Sequence, residues 1–563
     1  MTRRRQVLKH LGVALTGLGG CYTQTRPQTE TPTETSGPDG RGTDTGETAT
    51  PSDRSSIEER FGTVHNVVEE GVDDTGERYV DDRIHELAGD DTLLYFPSGT
   101  YRIGGLRFRD LSNFGLLGDG ATFRIGTRGR SVSLGFQHVS DVHIEGFTLD
   151  NTASNTAAWC DFKCVGGSNV IRNYSVAEFV DVDERTNGFT LMAEGAETDL
   201  TLQNVDLRHG ARNGAGAFVF PQREFYDPDH EPGSLEFRNC VMKGWGKEGL
   251  YASAHGGPLR IIGGEYANNA IVQVRVGGGN ADTEAIVRDV TVRVTEIPDY
   301  TPSGNRIFRG IWLKEGDGCL VEDCTVEISG VGPNQTQGAV VVNNQFGRAT
   351  IRNCDLTTNV QRPAIVADEP VEEFRPGPMP SMNRLPEDWN ITCENVTIDG
   401  ESPHTPAVAI RRRDGCTLSD ISVEKTGQAS DGVQLHETAD CRIETSSVTV
   451  SRFPLVVDFE TGASGCVCRL AGTSLDATDL DRGGRELIST TDGEFCIDAA
   501  ALGGDTTATD RSTLVLTRTG APSAQSDQSD VVPVSTVNPR PVRNLVDQES
   551  DEQTLYGRWV SDS

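Results

Sequence analysis

The residues with chemical potential gather in one repeated strand. Gly249-Leu250-Tyr251-Ala252-Ser253, Ile271-Val272-Gln273-Val274-Arg275 and Gly310-Ile311-Trp312-Leu313-Lys314 share a single alternating phrase. Ala339–Asn343, Ala364–Asp368, Ala407–Arg411, Gly432–His436 and Leu455–Asp458 repeat it farther along the chain. Apolar second and fourth positions read as core-facing, so the third and fifth positions face outward. Laid over one another, the copies place Ser253, Arg275, Lys314, Asn343 and Asp368 in one outward row. Tyr251, Gln273 and Trp312 fall in the row beside it, with Lys247 and Glu248 just before the strand.

That combination suits an acidic sugar chain. Cations on neighbouring rungs can hold its carboxylates, and Trp and Tyr offer flat apolar faces to sugar rings. Crowding of Arg275 and Lys314 lowers the lysine pKa, which suits a base abstracting a proton next to a uronate carboxylate. That reaction is β-elimination. Glu248 or Asp368 could instead serve as acid or base in glycoside hydrolysis. The expected catalytic set is therefore Arg275, Lys314, Glu248 and Asp368. The expected substrate contacts are Tyr251, Ser253, Gln273, Trp312, Asn343 and Lys247. Two long insertions, Pro221–Gly233 and Glu369–Asp388, leave from one corner of the rung and could wall a groove. Against this stands a plainer reading, in which solvated residues occupy an outward face. A non-catalytic surface protein binding glycan or partners through that face is the matching alternative. The acidic run from Glu224 to Glu231 offers oxygen ligands for Ca²⁺ but lacks EF-hand spacing, and no metal site is assigned.

The elements that must carry these residues are short strands separated by Gly and Asp turns. Gly310–Val326 reads as strand, tight turn and strand, and related copies recur roughly every 22 to 43 residues. Such a repeat is the signature of a β-solenoid. The opening of the folded part sharpens this. A helix-compatible segment from Tyr79 to Leu87 precedes Leu93-Leu94-Tyr95-Phe96-Pro97-Ser98-Gly99-Thr100-Tyr101. This order resembles the start of the pectate-lyase superfamily, whose members are right-handed parallel β-helices with a short helix capping the first rung. The resemblance implies an all-β, single-chain right-handed parallel β-helix with an N-terminal capping helix. It carries no catalytic residue across: the Asn-Thr-Asp, Gly-His-Gly and Arg-Ile-Lys series of polygalacturonase-type members is missing, as is the arginine-centred motif of pectate lyases.

The chain of 563 residues has a formal net charge of −33. It presents no basic run for nucleic acid, and its body is repelled by anionic lipid. Excess carboxylate with little lysine fits life in high salt. Arg3-Arg4-Arg5-Gln6-Val7-Leu8-Lys9 resembles a twin-arginine export motif, and Leu18-Gly19-Gly20-Cys21 resembles a lipobox. The expected plan is an export signal at 1–21 with lipidation at Cys21, an extended Thr/Pro/Glu-rich tether at 22–56, a β-helix at 57–470, and a C-terminal β-rich extension with a loose acidic tail at 471–563. Such a protein is anchored by its N-terminal lipid to the outer face of the cell membrane. Thirteen cysteines in an exported chain suggest disulfides. The repeat alignment argues otherwise, since Cys319, Cys416, Cys441 and Cys466 fall at one inward position and Cys240, Cys324 and Cys354 at another.

Overall fold

Strands that bury only one face must find a closed arrangement, because an open edge recruits other chains. The computed structural model describes residues 54–126, 133–220, 232–278, 284–301, 306–332, 335–375, 382 and 384–458, and separate strands between 466 and 559. Within them the strands coil into a right-handed parallel β-helix. The export signal, Cys21, the tether as far as residue 53 and the acidic run from Glu224 to Glu231 lie outside the described residues.

Three parallel sheets form the walls. The front sheet stacks Leu106–Arg109, Leu134–Val139, Cys160–Cys164, Phe189–Ala193, Ala217–Val219, Leu250–Tyr251 and Val274–Gly278 in order. It continues through the first half of Phe308–Glu322 and on to Pro406–Arg411, Asp431–His436 and Leu455–Asp458. A second sheet begins at Thr63–Asn66, passes through Thr92–Phe96 and reaches Cys466–Ala471, and a third runs from Thr75–Tyr79 to Ser474–Ala477. Parallel pairing goes on past residue 470, where Cys466–Ala471 meets Glu494–Asp498.

The opening motif has a physical explanation. Helix Asp81–Leu87 lays Ile84 against the core, and the Asp81 carboxylate accepts hydrogen bonds from the backbone N–H groups of Gly104 and Gly105 at 2.8–2.9 Å. Phe96 and Tyr101 are both fully buried and meet edge to face, 5.1 Å between centroids. The proline between them supplies the acceptor for the tyrosine, whose hydroxyl donates to the Pro97 carbonyl at 2.8 Å.

A column of Asn and Asp turns the chain from the second sheet into the third. Asn173, Asn204, Asn239, Asp289, Asp323, Asn353, Asn395 and Asp420 all adopt the left-handed conformation, with φ between 51° and 55°. Asn and Asp tolerate that region better than other L-residues because their short polar side chains bond locally. Stacking adds a ladder: Asn353 Nδ2 donates to Asp323 Oδ1 at 3.0 Å, and Asn395 Nδ2 donates to Asn353 Oδ1 at 3.0 Å. The residue before each turn faces solvent, and there charges of opposite sign stack. Glu322 sits between Arg288 and Arg352 on the rungs to either side.

The residue after each turn points inward, which is where Cys240, Cys324 and Cys354 lie, fully buried. Cys319, Cys416 and Cys441 fill the first inward position of the second sheet, again as the repeat implies. The ladder continues with Cys468 rather than Cys466, because Cys441 pairs with Cys468 across the register. The ten cysteines whose side chains the structure describes are free and buried. Cys160 and Cys164 cannot meet, since four residues along one strand separate them by about 13 Å.

Asn353→Ala forces an alanine into the left-handed region and breaks both rungs of its ladder, so it should destabilise the fold by about 1–2 kcal/mol. Asn353→Gly keeps the conformation and should cost less. Denaturant midpoints of the two variants check the order, and an alanine variant as stable as the glycine variant would contradict it.

Candidate functional site

The register of the front sheet decides which predicted residues meet. Tyr251 pairs with Arg275, and Arg275 with Trp312. Arg275 therefore lies in the row of Tyr251 and Trp312, not in the row of Lys314 as the repeat alignment placed it. The alignment is two residues out at this rung. Its strand starts at Val274, one step after the Gln273 carbonyl accepts the Leu250 N–H. Gln273, expected on the outward face, is wholly buried. Its amide is bonded to Asn269: Gln273 Oε1 accepts from the Asn269 N–H at 2.8 Å, and Gln273 Nε2 donates to the Asn269 carbonyl at 2.8 Å. Ser253 is also displaced from its expected outward place. The strand Leu250–Tyr251 ends before it, and the serine is buried, with its backbone packed against Gly277 so closely that a Cβ there would clash.

What the register does build is a stacked row. The Arg275 guanidinium lies 4.0 Å from the Tyr251 ring centroid and 4.7 Å from that of Trp312. Tyr251 in turn packs on Phe218, 4.6 Å between centroids, in a small apolar cluster with Ala215 and Ala254. Arg309 covers Trp312 at 4.0 Å, and Lys314 Nζ stands 5.5 Å from the same ring. Cations over aromatic faces are favourable, more so when desolvated. Glu248 is buried and reaches Arg275 Nη1 at 4.0 Å. Lys314 Nζ donates to Asn343 Oδ1 at 3.2 Å and lies 3.5 Å from Glu315 Oε1. Arg275 Nε and Trp312 Nε1 are buried without a hydrogen-bond partner among the described residues. Each such donor costs about 1–3 kcal/mol, so this row is not arranged for stability alone.

Burial dominates the electrostatics. It lowers the Lys314 pKa, helped by repulsion from Arg275 and Arg309 and opposed by Glu315. The depressed lysine expected from charge crowding is thus present, with dehydration as the larger cause. Burial likewise pulls Arg309 down to about 10 and lowers Lys247, which also feels Arg185. It raises Asp368, against the pull of Arg411, Arg413 and Arg309. Asp368 follows its strand on the rung beyond Asn343. Its carbonyl accepts from Arg413 Nε at 2.8 Å, and Arg413, itself fully buried, also donates to the carbonyls of Asn343, Phe346, Gly347 and Trp389.

Arg309 and Glu315 join the site although the sequence reading passed over them. Counting alternately from Ile311 and Leu313 gives both an inward parity. Register shifts between Phe308 and Arg309 and between Leu313 and Glu315 re-aim them. The Gly310 and Gly316 flanking the strand were the available signal, since glycine inside a strand often marks such an irregularity. Lys314 occupies the second of these shifts. Among the described residues no group of three or more His, Cys, Asp or Glu is placed to hold a metal, and no helix is long and apolar enough to cross a membrane.

No protein-family profile matches this chain, and no curated protein does. Solved structures that resemble it include the catalytic unit of the thermostable GH87 α-1,3-glucanase from Streptomyces thermodiastaticus strain HF3-3. The identity there is 16%, covering 80% of this chain and 71% of that one, with a TM-score of 0.32. The Azotobacter vinelandii mannuronan C-5 epimerase A-modules AlgE4 and AlgE6 are 12% and 14% identical over 76% of this chain and 94% and 98% of theirs, with TM-scores of 0.25 and 0.26. Likeness at this level transfers no residue and no reaction.

Lys314 supplies a pH signature. Its folded value lies below the ordinary lysine value of about 10.4, so between the two the unfolded chain binds the extra proton. Its contribution to stability therefore rises as pH climbs through that window. Lys314→Met should flatten the rise, as read from denaturant midpoints between about pH 7 and pH 10. Parallel slopes in the two proteins would refute the lowered lysine.

Proposed function

We propose that this chain is an exported surface β-helix protein that acts on acidic polysaccharide by β-elimination. The observation that carries the reading is the row Tyr251–Arg275–Trp312 with Lys314 at its edge. Two rings and two guanidinium groups form a platform on a chain that is otherwise strongly acidic, which favours an anionic ring over a neutral one. Arg275 and Arg309 hold the uronate carboxylate and stabilise the charge that builds on it. Lys314 in its neutral form takes the proton from the neighbouring carbon, and the glycosidic oxygen on the next carbon leaves as the double bond forms. Asp368, whose raised pKa keeps its proton to higher pH, is the group proposed to protonate that oxygen. Tyr251, Trp312 and Asn343 contact sugar, and Lys247 and Glu248 hold the edge of the row. Export by the twin-arginine route and a lipid on Cys21 would place the protein on the outer face of the membrane, within reach of polymers that cannot enter the cell.

A second reading draws on the pairing within the site. Glu248 already lies against Arg275, and Lys314 against Glu315 and Asn343. A surface that binds glycan without cleaving it needs no more than this.

The test is incubation with a panel of acidic and neutral polysaccharides at high salt, following unsaturated-uronate absorbance and new reducing ends. Lyase action raises both, and Lys314→Met should then lower turnover about 10²- to 10⁴-fold while binding persists. Arg275→Ala should lose binding as well. Reducing ends without absorbance would mean hydrolysis and overturn the elimination step. Binding without any cleavage would establish the second reading.

A further inference from the structure

The interior of the helix holds an ammonium group with no counter-charge among the described residues. Lys425 ends the strand Ser422–Lys425 with its side chain directed into the core, 1% exposed. On the adjoining rung the matching position is Gly400, and on the rung beyond that it is Thr358. Gly400 contributes no side chain, so the lysine arm crosses that rung. Lys425 Nζ donates to Thr358 Oγ1 at 3.4 Å, and Thr358 Oγ1 lies 3.5 Å from Ser402 Oγ. Both hydroxyl residues are fully buried. Among the described residues no carboxylate pairs with Lys425, and Thr358 is the one hydrogen-bond partner of its ammonium group.

An ammonium has three N–H donors and no acceptor, so two donors remain after Thr358. A buried charge without a partner is among the costliest features a core can carry. Burial lowers this pKa to about 8, which still leaves the amine charged at neutral pH. We propose that a monovalent anion of chloride type binds inside the β-helix, held by Lys425 Nζ and the hydroxyl groups of Thr358 and Ser402. The geometry supports this: the ammonium and the two hydroxyl groups converge at one point of the interior, with Lys425 Nζ 3.4 Å from Thr358 Oγ1 and that oxygen 3.5 Å from Ser402 Oγ, and two ammonium N–H groups remain to face an ion. The anion neutralises the ammonium and becomes part of the folded state, so the fold is linked to halide concentration independently of the front-sheet site.

The experiment is thermal unfolding of the whole chain in sodium chloride and in sodium gluconate at matched ionic strength. Native protein should melt higher in chloride, its apparent unfolding constant falling about tenfold for each tenfold rise in chloride above half-saturation. Lys425→Met should lose this difference and melt higher than the native chain in gluconate, where the buried charge is unpaired. Thr358→Val, a change of similar volume, should weaken the chloride effect and serves if the lysine variant fails to fold. Crystals grown in bromide should show an anomalous peak against Lys425 Nζ. Equal chloride responses in native and variant proteins, or a water-sized feature without anomalous signal, would overturn the proposal.

Discussion

Everything in this molecule follows from parallel stacking in register at about 4.8 Å per rung. A residue at one position of a rung lies directly over its counterpart in the next, so interactions are built in columns. The Asn and Asp turns form one such column, the inward cysteines two more, and the alternating Arg and Glu residues on the second sheet another. Arg275 between Tyr251 and Trp312 is the same device applied to different side chains. A shift of one rung's phase by two residues replaces one neighbour set with another.

The candidate site arises where the stacking is imperfect. Register shifts on either side of Ile311–Leu313 rotate Arg309 and Glu315 out of the parity that alternation assigns them. They bring a third cation and a further carboxylate beside Trp312. The site is also drier than an open face would be, because Glu248, Glu315 and Tyr251 are buried and Arg275 and Lys314 are only partly exposed. That dryness, more than crowding, is what lowers Lys314 and raises Asp368. Arg413 fastens the far edge, tying five backbone carbonyls around Asn343 and Asp368 with one guanidinium.

The charged groups of the interior obey a stricter rule than those on the faces. Glu322, on the outer face, is covered by the two arginines that flank it and paired on both sides. Lys425 has no such partner among the described residues, and the core around it is hydroxyl-rich rather than acidic. A protein with this excess of carboxylate nonetheless keeps carboxylates away from the one deeply buried lysine among the described residues. That arrangement is what an internal anion site requires.

The sequence by itself determined the architecture. Two-residue periodicity, the recurring phrase and the Phe-Pro-x-Gly-x-Tyr opening each encode local preferences that survive into the structure, because every rung repeats the same local problem. It also determined the inward cysteine positions, Cys468 for Cys466 excepted, because the equivalent position in other rungs holds an apolar residue such as Val290, Val396 or Ile421. The left-handed Asn and Asp turns before Cys240, Cys324 and Cys354 were not legible, because no Gly or Pro marks them and the apolar pattern reads as one strand through each. Only the tertiary structure decided the site. Which residue of one rung lies over which residue of the next depends on where each turn ends, and turns here vary in length without changing the pattern that follows. Arg275 took the place assigned to Gln273, and Gln273 moved into the interior, for that reason, and Arg309 and Glu315 entered through bulges that alternation cannot reveal. Register across rungs is a long-range property, and a single chain read in order does not contain it.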